Sequence, residues 1–262
     1  MTKQQRLNRI LELLSQRGSA SIAELADALG ASVATIRRDL NTLAQQRLIT
    51  RNHGGATALG SSYELPLQYK IGRQAEAKLA IARAITELVG PGTSVGLNGG
   101  TTTTEVARSI GRAEHLSRKE GAHGVTIVTN ALNIAYELSV REHVKIVVTG
   151  GVPRRQSYEL IGPLVGASLH DFSLDLAILG VDGLSLAFGA TTLHEGEAAA
   201  SREIAAVARR TIVAADSTKL GKATFARICP LERVDMLVTD SVPPEAADEL
   251  AAADVEVLIA HA

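Results

Sequence analysis

The sequence predicts two domains: a small, mainly helical N-terminal domain and a larger α/β domain built on a mostly parallel sheet. A length of 262 residues suits one small and one medium domain. Amphipathic helical segments fill much of 1–57. From residue 73 onward, short β-rich runs alternate with helical segments, which is typical of parallel sheets covered by helices. The predicted domains are therefore 1–57 and 73–262, and Gly, Ser and Pro residues predict a linker at 58–72.

The composition is that of an ordinary globular protein, with 45% hydrophobic and 21% charged residues. The lone cysteine, Cys229, excludes an internal disulfide, and no Cys/His spacing is typical of a zinc site. No metal and no cofactor are therefore expected. The first 17 residues lack the apolar core of a signal peptide, so we expect a cytoplasmic protein with no membrane partner.

Capping residues divide the N-terminal domain into helices. The first is predicted at about 3–16 and ends at Gly18. Ser21 and Glu24 have the capping-box spacing, in which each side chain binds a free backbone N–H at the start of a second helix. Ser32 is predicted to cap a third helix. The apolar residues at helical spacing, which should form the core, are Leu7, Ile10, Leu11, Leu14, Ile22, Leu25, Ala26, Leu29, Val33, Ile36, Leu40 and Leu43.

The second and third helices predict a helix-turn-helix unit, whose second helix can enter the major groove of DNA. A strand at 48–51 and a turn at 53–55 predict a β-wing, which makes the domain a winged helix-turn-helix. The third helix turns a polar face outward, and arginine on such a face can bond guanine with two donors. The candidate DNA-binding residues are Ser32, Ala34, Thr35, Arg37, Arg38, Asn41, Arg51 and His53.

Charge is divided unevenly along the chain. Eight basic and four acidic residues give 1–57 a net charge of +4, and the remainder carries −5. A basic N-terminal domain joined to an acidic larger domain is suited to contact DNA phosphates through the basic domain. Asp39 is expected to bond within the domain, because phosphate would repel its carboxylate. On these residues alone, a three-helix cap or dimerisation module with a solvated basic face stays open.

In the larger domain, polar residues follow the carboxyl ends of the predicted strands. The predicted strands are 94–97, 125–129, 144–149, 176–180, 211–215, 236–239 and 255–259, and the predicted helices are 74–89, 102–110, 131–140, 158–170, 195–210 and 244–252. Ligands of open α/β sheets bind at that edge. The candidate effector-binding residues are Asn98, Gly99, Gly100, Thr101, Thr102, Thr129, Asn130, Gly150, Gly151, Asp182, Asp216 and Lys219.

The loop 99–103 leads directly into a helix, which favours an anion as ligand. Glycines let the backbone approach the anion, hydroxyls add donors, and the helix start supplies unpaired N–H groups. Lys219 could supply a matching cation. Each feature also has a structural alternative: a tight strand–helix turn for the loop, turn caps for Asp182 and Asp216, and a helix cap for Asn130.

Several of these motifs resemble the DeoR family of sugar-metabolism regulators. In the first domain they are Ser-Val-Ala-Thr-Ile-Arg-Arg-Asp-Leu at 32–40 and Leu-Ile-Thr-Arg-Asn-His-Gly-Gly-Ala at 48–56. In the second they are Gly-Gly-Thr-Thr at 99–102, Val-Thr-Asn at 128–130, Thr-Gly-Gly at 149–151, Gly-Val-Asp-Gly at 180–183 and Asp-Ser-Thr-Lys at 216–219. The resemblance therefore covers nearly the whole chain.

The resemblance implies a DNA-binding role for Thr35, Arg37 and Arg38. It also implies an effector domain similar to ribose-5-phosphate isomerase that binds phosphorylated sugars or related metabolites, which release the protein from its operator DNA. One departure is Asn98, where the family usually has an aspartate; the amide keeps hydrogen bonding but loses a charge. The polar segment 111–124 is longer than usual and is expected to form an exposed loop.

The main alternative is a sugar-phosphate isomerase fused to a DNA-binding domain. Such an isomerase needs a carboxylate base and an acid at its site. The corresponding stretch, Asp-Gly-Leu-Ser at 182–185, lacks a second and a third acid, so we expect no enzyme activity. A pure oligomerisation scaffold leaves the polar strand ends unexplained. A homodimer or homotetramer is expected, because one helix-turn-helix reads too few base pairs.

Overall fold

The computed structural model describes residues 1–59, 65–70, 72–117 and 124–261. The chain divides into two compact units, Met1–Gly72 and Arg73–Ala262. Parts of two sequence predictions lie outside the described residues: 60–64 and 71 of the linker, and 118–123 of the loop at 111–124. Among the described helices, none is both long and apolar enough to cross a bilayer.

The first unit contains the predicted helices and the wing. Its elements are α1 (Lys3–Arg17), β1 (Ser19–Ser21), α2 (Ile22–Leu29), α3 (Val33–Gln45), β2 (Ile49–Arg51), β3 (Gly55–Ala58) and α4 (Leu67–Lys70). The capping box of Ser21 and Glu24 is confirmed, and Ser32 caps α3 by accepting from the backbone N–H of Thr35 at 3.2 Å. Local capping chemistry therefore fixes where α2 and α3 begin.

Three features of this unit differ from the sequence prediction. The wing has a third strand, since β3 pairs with β1 as well as with β2. Val33, predicted in the core, is 45% exposed. It is the first residue of α3, one turn before the fully buried Ile36. Within the predicted linker, Ala58 ends β3, and α4 buries Leu67 and Tyr69.

The second unit alternates strands and helices as predicted, except that the predicted helix at 195–210 ends at Ala206, residues 208–210 begin a strand, and strands at 183–185, 189–192 and 226–229 were not predicted. Its helices are α5 (Ala75–Glu87), α6 (Thr101–Arg112), α7 (Leu132–Leu138), α8 (Pro163–Leu169), α9 (Glu195–Ala206) and α10 (Pro244–Ala252), with 3-10 turns at Glu114–Leu116, Ser217–Lys219 and Leu231–Arg233. Its strands are β4 (Ser94–Leu97), β5 (Val125–Thr129), β6 (Val144–Val148), β7 (Val152–Pro153), β8 (Leu160–Ile161), β9 (Leu174–Gly180), β10 (Gly183–Ser185), β11 (Gly189–Thr192), β12 (Ala208–Ala214), β13 (Ala226–Cys229), β14 (Met236–Thr239) and β15 (Glu256–Ile259).

A seven-stranded parallel sheet forms the centre of this unit, in the order β15-β14-β12-β9-β4-β5-β6. Apolar clusters pack on its two faces: one includes Ile81 and Ile85 of α5, and the other includes Leu169 of α8 and Ile204 of α9. Because all seven strands run the same way, the loops after β12, β9, β4, β5 and β6 meet at one edge of the sheet.

The predicted helix at 158–170 is wrong at its start. Tyr158 has a positive φ of 62°, and Leu160–Ile161 is strand β8, which pairs with β7 in a hairpin. The helix α8 begins only at Pro163. Proline cannot continue a helix from its N-terminal side but suits the first helical position. The residues before Pro163 therefore belong to the β7–β8 hairpin, which lies beside the carboxyl edge of the sheet.

Candidate DNA interface and effector site

The outward face of α3 carries the predicted DNA-binding residues. Ser32, Ala34, Arg37, Arg38 and Asn41 are exposed, and Thr35 is half-buried. On the opposite face, Ile36, Leu40 and Leu43 are fully buried. Packing therefore fixes the rotation of α3 and leaves both arginines free to reach a DNA groove. The exposed Val33 adds an apolar group at the start of this face.

An internal ion pair fixes α3 against α1. Arg6 donates from Nε and Nη2 to the carboxylate of Asp39, the second contact at 3.3 Å. The Asp39 side chain is 3% exposed and that of Arg6 is 16% exposed. Asp39 thus bonds within the domain, as the sequence predicts, and it raises the pKa of Arg6. The adjacent Arg38 points its charge outward while Asp39 holds the helix.

The wing contacts the recognition helix through a side-chain hydrogen bond. Arg51 of β2 donates from Nη1 to Oδ1 of Asn41. This contact links two predicted DNA-binding residues, one on the wing and one on α3. His53 is exposed in the turn between β2 and β3. The structure therefore brings the recognition helix and the wing together on one unit.

The predicted effector residues lie after neighbouring strands of the parallel sheet. Asn98 to Thr102 follow β4, Asn130 follows β5, Gly150 follows β6, Asp182 follows β9 and Asp216 follows β12. Thr129 is the last residue of β5, and Gly151 follows Gly150. Lys219 ends the 3-10 turn after β12. The sheet thus gathers the whole predicted set at its carboxyl edge.

Asn98 and Thr129 use their side chains to hold the strand ends together. Nδ2 of Asn98 donates to the carbonyl of Gly180 and to Oγ of Ser201, each at 2.9 Å, and its Oδ1 accepts from the N–H of Gly180 at 2.8 Å. Thr129 donates to the carbonyl of Leu97 at 2.7 Å. Both residues are buried. They therefore position the edge, and the amide of Asn98 supplies donors that an ionised aspartate lacks.

The loop before α6 turns at a glycine with a positive φ. Gly100 has a φ of 134°, a region that favours glycine. Its carbonyl accepts from the N–H and Oγ1 of Thr104 at 3.0 and 2.6 Å. The preceding amides of Thr101, Thr102 and Thr103 have no carbonyl four residues back within the helix. These amides form the positive end of a twelve-residue helix.

A buried lysine that the sequence prediction missed lies among the charges of this edge. Lys78 of α5 is 6% exposed, and burial lowers its pKa to about 8, although Asp216 partly opposes that shift. Lys219, Arg73 and Glu105 also act electrostatically on Lys78. The sequence carried a signal: Lys78 shares a helical stripe with Ile81 and Ile85, where an apolar residue is expected.

The carboxylates of the two predicted aspartates, Asp182 and Asp216, accept hydrogen bonds from nearby residues. Asp216 is 2% exposed and accepts from the N–H of Thr218 at 3.2 Å. Asp182 accepts from Oγ1 of Thr192 at 3.0 Å and lies 3.8 Å from Nζ of Lys219. The side chain of Lys219 is 32% exposed. Asp182 and Lys219 therefore form a partly exposed ion pair.

Unpartnered buried polar atoms accumulate around the same edge. Within the described residues these atoms include Nη2 of Arg73, Oδ1 of Asn130, Oδ1 of Asn133 and Oγ1 of Thr149. The last three belong to residues that follow β5 and β6, and the carbonyl of Arg73 accepts from Nζ of Lys78. A buried polar atom without a partner costs about 1–3 kcal/mol. A polar ligand bound at this edge would reduce that cost.

The glycines after β6 pack against the α8 region and the β7–β8 hairpin. The N–H of Gly150 donates to Oγ of Ser168 at 2.8 Å, and Gly151 lies against the backbone of Ile161. Asn130 donates from Nδ2 to Leu160 and to Glu159, each at 3.0 Å. Glu159, absent from the sequence prediction because 158–170 was expected to be helix, therefore joins the edge.

Two family models match the chain. The DeoR-like helix-turn-helix domain matches residues 6–62, and the DeoR C terminal sensor domain matches residues 73–241. The chain belongs to the DeoR family of transcriptional regulators. The family resemblance seen in the motifs is thereby confirmed, and the matched regions correspond to the two units of the fold.

Relatives along nearly the full length of this DeoR-family chain are named as transcription factors. The HTH-type transcriptional regulator GlpR of Haloferax volcanii is 35% identical over 98% of both chains. The glycerol-3-phosphate regulon repressor of Escherichia coli strain K12 is 34% identical over 93% of both. These matches support a DNA-binding regulator over the isomerase alternative.

Structural neighbours of the DeoR-family chain include ribose 5 phosphate isomerase A from Neisseria gonorrhoeae. That match covers 55% of this chain and 52% of the isomerase, at 16% identity and a TM-score of 0.40.

Proposed function

We propose that this DeoR-family protein represses a carbohydrate-metabolism operon and leaves its operator when a phosphorylated sugar or related metabolite binds the second unit. The observation that carries the effector part is the glycine-rich loop and free amides at the start of α6, at the same sheet edge as Lys219, which acts electrostatically on the buried Lys78. Lowering the pKa of a lysine signals that its charged form is disfavoured at that place. A bound dianion would stabilise the charged form of the lysine, and a phosphate ester can bind the amides, hydroxyls and cations of this edge.

The proposed anion site consists of the predicted loop residues and two cations. Gly99, Gly100, Thr101 and Thr102 form the loop, and Lys78 and Lys219 provide the charge. Asp182 lies 3.8 Å from Nζ of Lys219, and Asp216 acts electrostatically on Lys78. Asn98, Thr129, Gly150 and Gly151 keep the strand ends in place. Relatives named for a glycerol-3-phosphate regulon support a phosphate ester as the class of effector.

The proposed operator complex contains at least two copies of the chain. One recognition helix covers a half-site, and two half-sites lie about 34–36 Å apart on one face of DNA. The metabolite is proposed to bind best to an arrangement of the assembly that does not match this spacing, and can shift the equilibrium only by that difference in affinity. Such a repressor works in the cytoplasm, where it meets the chromosome.

A single binding experiment tests the proposed function. Purified protein is mixed with genomic fragments, retained fragments are sequenced, and the selected site is used in gel shifts. We expect site-selective binding that glycerol 3-phosphate, ribose 5-phosphate or glucose 6-phosphate reverses, whereas glycerol, ribose and glucose do not. Absence of selective retention, or release that ignores the phosphate group, contradicts the proposal.

The pH dependence of release provides a further expected result. Below pH 8 Lys78 is largely charged and binds a phosphate dianion; above pH 8 the free protein loses that charge. The affinity for a sugar monophosphate should therefore fall about tenfold between pH 7.5 and pH 9, measured by calorimetry. Cys229 does not interfere, because burial raises its pKa to about 11. An affinity that is constant or rises over this range contradicts a role for Lys78.

A further inference from the structure

The start of the second unit carries a guanidinium group with a buried donor. Arg73 is the first residue of this unit and lies two residues before α5. Its Nη2 atom is shielded from solvent and has no hydrogen-bond partner among the residues that the structure describes. A buried donor that lacks a partner destabilises the folded protein, so an acceptor that reached it would be bound favourably.

The connection between α5 and the sheet places Arg73 toward the carboxyl edge. The helix ends at Glu87 and β4 begins at Ser94, so the short connection 88–93 holds the end of α5 near the amino end of that strand. The helix has 13 residues and is therefore about 20 Å long. It packs on the core of the sheet through Ile81 and Ile85. Its start, with Arg73 before it, consequently lies toward the edge that carries the proposed effector site.

Electrostatic interactions place the same residue among the cations of that edge. The charges of Arg73 and Lys219 both act on Lys78. The carbonyl of Arg73 also accepts a hydrogen bond from Nζ of Lys78, which fixes the backbone of Arg73 against α5. Because interactions between charges weaken with distance, the three cations lie near one another. Arg73 is thus a third positive charge beside the two cations of the proposed anion site.

The carboxylates nearby have hydrogen-bond partners other than Arg73. Asp216 and Glu105 are the two acids that act electrostatically on Lys78. Asp216 accepts from the N–H and Oγ1 of Thr218, and Glu105 accepts from Nη1 of Arg108 at 2.6 Å. Neither carboxylate is a partner of Nη2 of Arg73. This donor can therefore bind an acceptor that a ligand supplies.

We propose that Arg73 is a further phosphate-binding residue of the effector site, and that its guanidinium donates to oxygens of the same phosphate that contacts Lys78. This inference rests on the proposed function. A guanidinium presents paired N–H donors that match two oxygens of a phosphate, whereas an ammonium group acts as a point charge. A phosphate monoester has enough oxygens to accept from both residues. Its binding gives Nη2 of Arg73 the acceptor that the free protein does not provide.

Calorimetry on the full-length protein tests this role. The probes are inorganic phosphate, glycerol 3-phosphate, ribose 5-phosphate and glucose 6-phosphate. Arg73→Gln should weaken the ester that wild type binds most tightly by about tenfold or more. Arg73→Lys keeps the charge but loses the paired donors, so it should weaken the same ester by a smaller factor. The matched control is Arg83→Gln, an exposed position of α5, which should leave the affinity unchanged.

Thermal unfolding separates a binding role from a structural role. Because Nη2 has no partner in the free protein, Arg73→Gln should not lower the melting temperature without ligand, whereas the ester should raise it less than in wild type. A lower melting temperature of the free variant combined with a full rise on adding the ester indicates a structural role and overturns the inference. If Arg73→Gln does not fold by circular dichroism, Arg73→Lys decides, and wild-type affinity in that variant overturns the inference.

The outcomes also distinguish this role from the proposed function. Wild-type affinity in Arg73→Gln, together with weakened binding in Lys78→Met, contradicts the role of Arg73 and leaves the effector site in place. If wild type binds neither inorganic phosphate nor any of the esters, the proposed effector site itself is wrong, and this role with it.

Discussion

Arg37→Ala and Arg38→Ala are each expected to lower the affinity for operator DNA by about 1–3 kcal/mol, or roughly fivefold to a hundredfold and more. Both side chains are exposed on α3, opposite the buried Ile36 and Leu40, so their loss should leave the fold intact. The measurement is a gel-shift titration on the selected site, with thermal unfolding recorded for each variant.

Unrelated DNA of equal length separates the two possible contacts of each arginine. A guanine contact lowers binding to the operator alone, whereas a phosphate contact lowers binding to both DNAs. The matched control is Arg83→Ala, which removes an exposed arginine from α5 of the second unit and should change neither affinity. Unchanged operator binding by an arginine variant removes that residue from the recognition surface.

Lys78→Met should abolish or strongly weaken release from the operator without unfolding the protein. Losing one charged donor to a phosphate is expected to weaken effector binding by about 1.5–3 kcal/mol, or tenfold to a hundredfold. Lys78 is buried with a pKa lowered from 10.5 to about 8. The charged form therefore destabilises the fold near neutral pH, and the variant's melting temperature should be equal or higher.

The pH dependence of stability gives an independent check on Lys78. The unfolded chain holds the lysine proton up to about pH 10.5, whereas the folded chain releases it from about pH 8. The free energy of unfolding contributed by this group thus rises between those values, by at most about 3 kcal/mol. Lys78→Met should lose this rise, and Lys145→Met, an exposed lysine on β6, should retain it along with normal release. Normal release by Lys78→Met would falsify the anion site.

Regular features were predictable because they depend on local sequence. The capping residues Ser21 and Ser32 set the helix starts, and alternating β-rich and helical runs gave the strands of the sheet. The third wing strand was not predicted, because the three residues at 19–21 are too few to show the alternation of apolar and polar residues that indicates a strand. Val33 was predicted in the core because it has the helical spacing of the buried residues. Spacing alone does not show that the first residue of a helix can lie beyond the core that the later residues pack against.

The effector edge was only partly predictable. Residues that directly follow strands could be assigned to it, since parallel strands end on one side. Lys78 lies before the first strand of the sheet and reaches the edge through helix packing. Glu159 reaches it through a hairpin that pairs with residues after β5, a long-range contact, and the sequence pattern favoured a helix there. Such placements depend on tertiary contacts.

The ion pair between Arg6 and Asp39 has a consequence for ionic strength. DNA affinity falls with added salt according to the number of phosphates that protein cations neutralise, because each contact releases a condensed counterion. Arg6 is already neutralised inside the fold. The slope of log affinity against log salt should therefore reflect fewer phosphates per copy than the eight basic residues of 1–57 suggest.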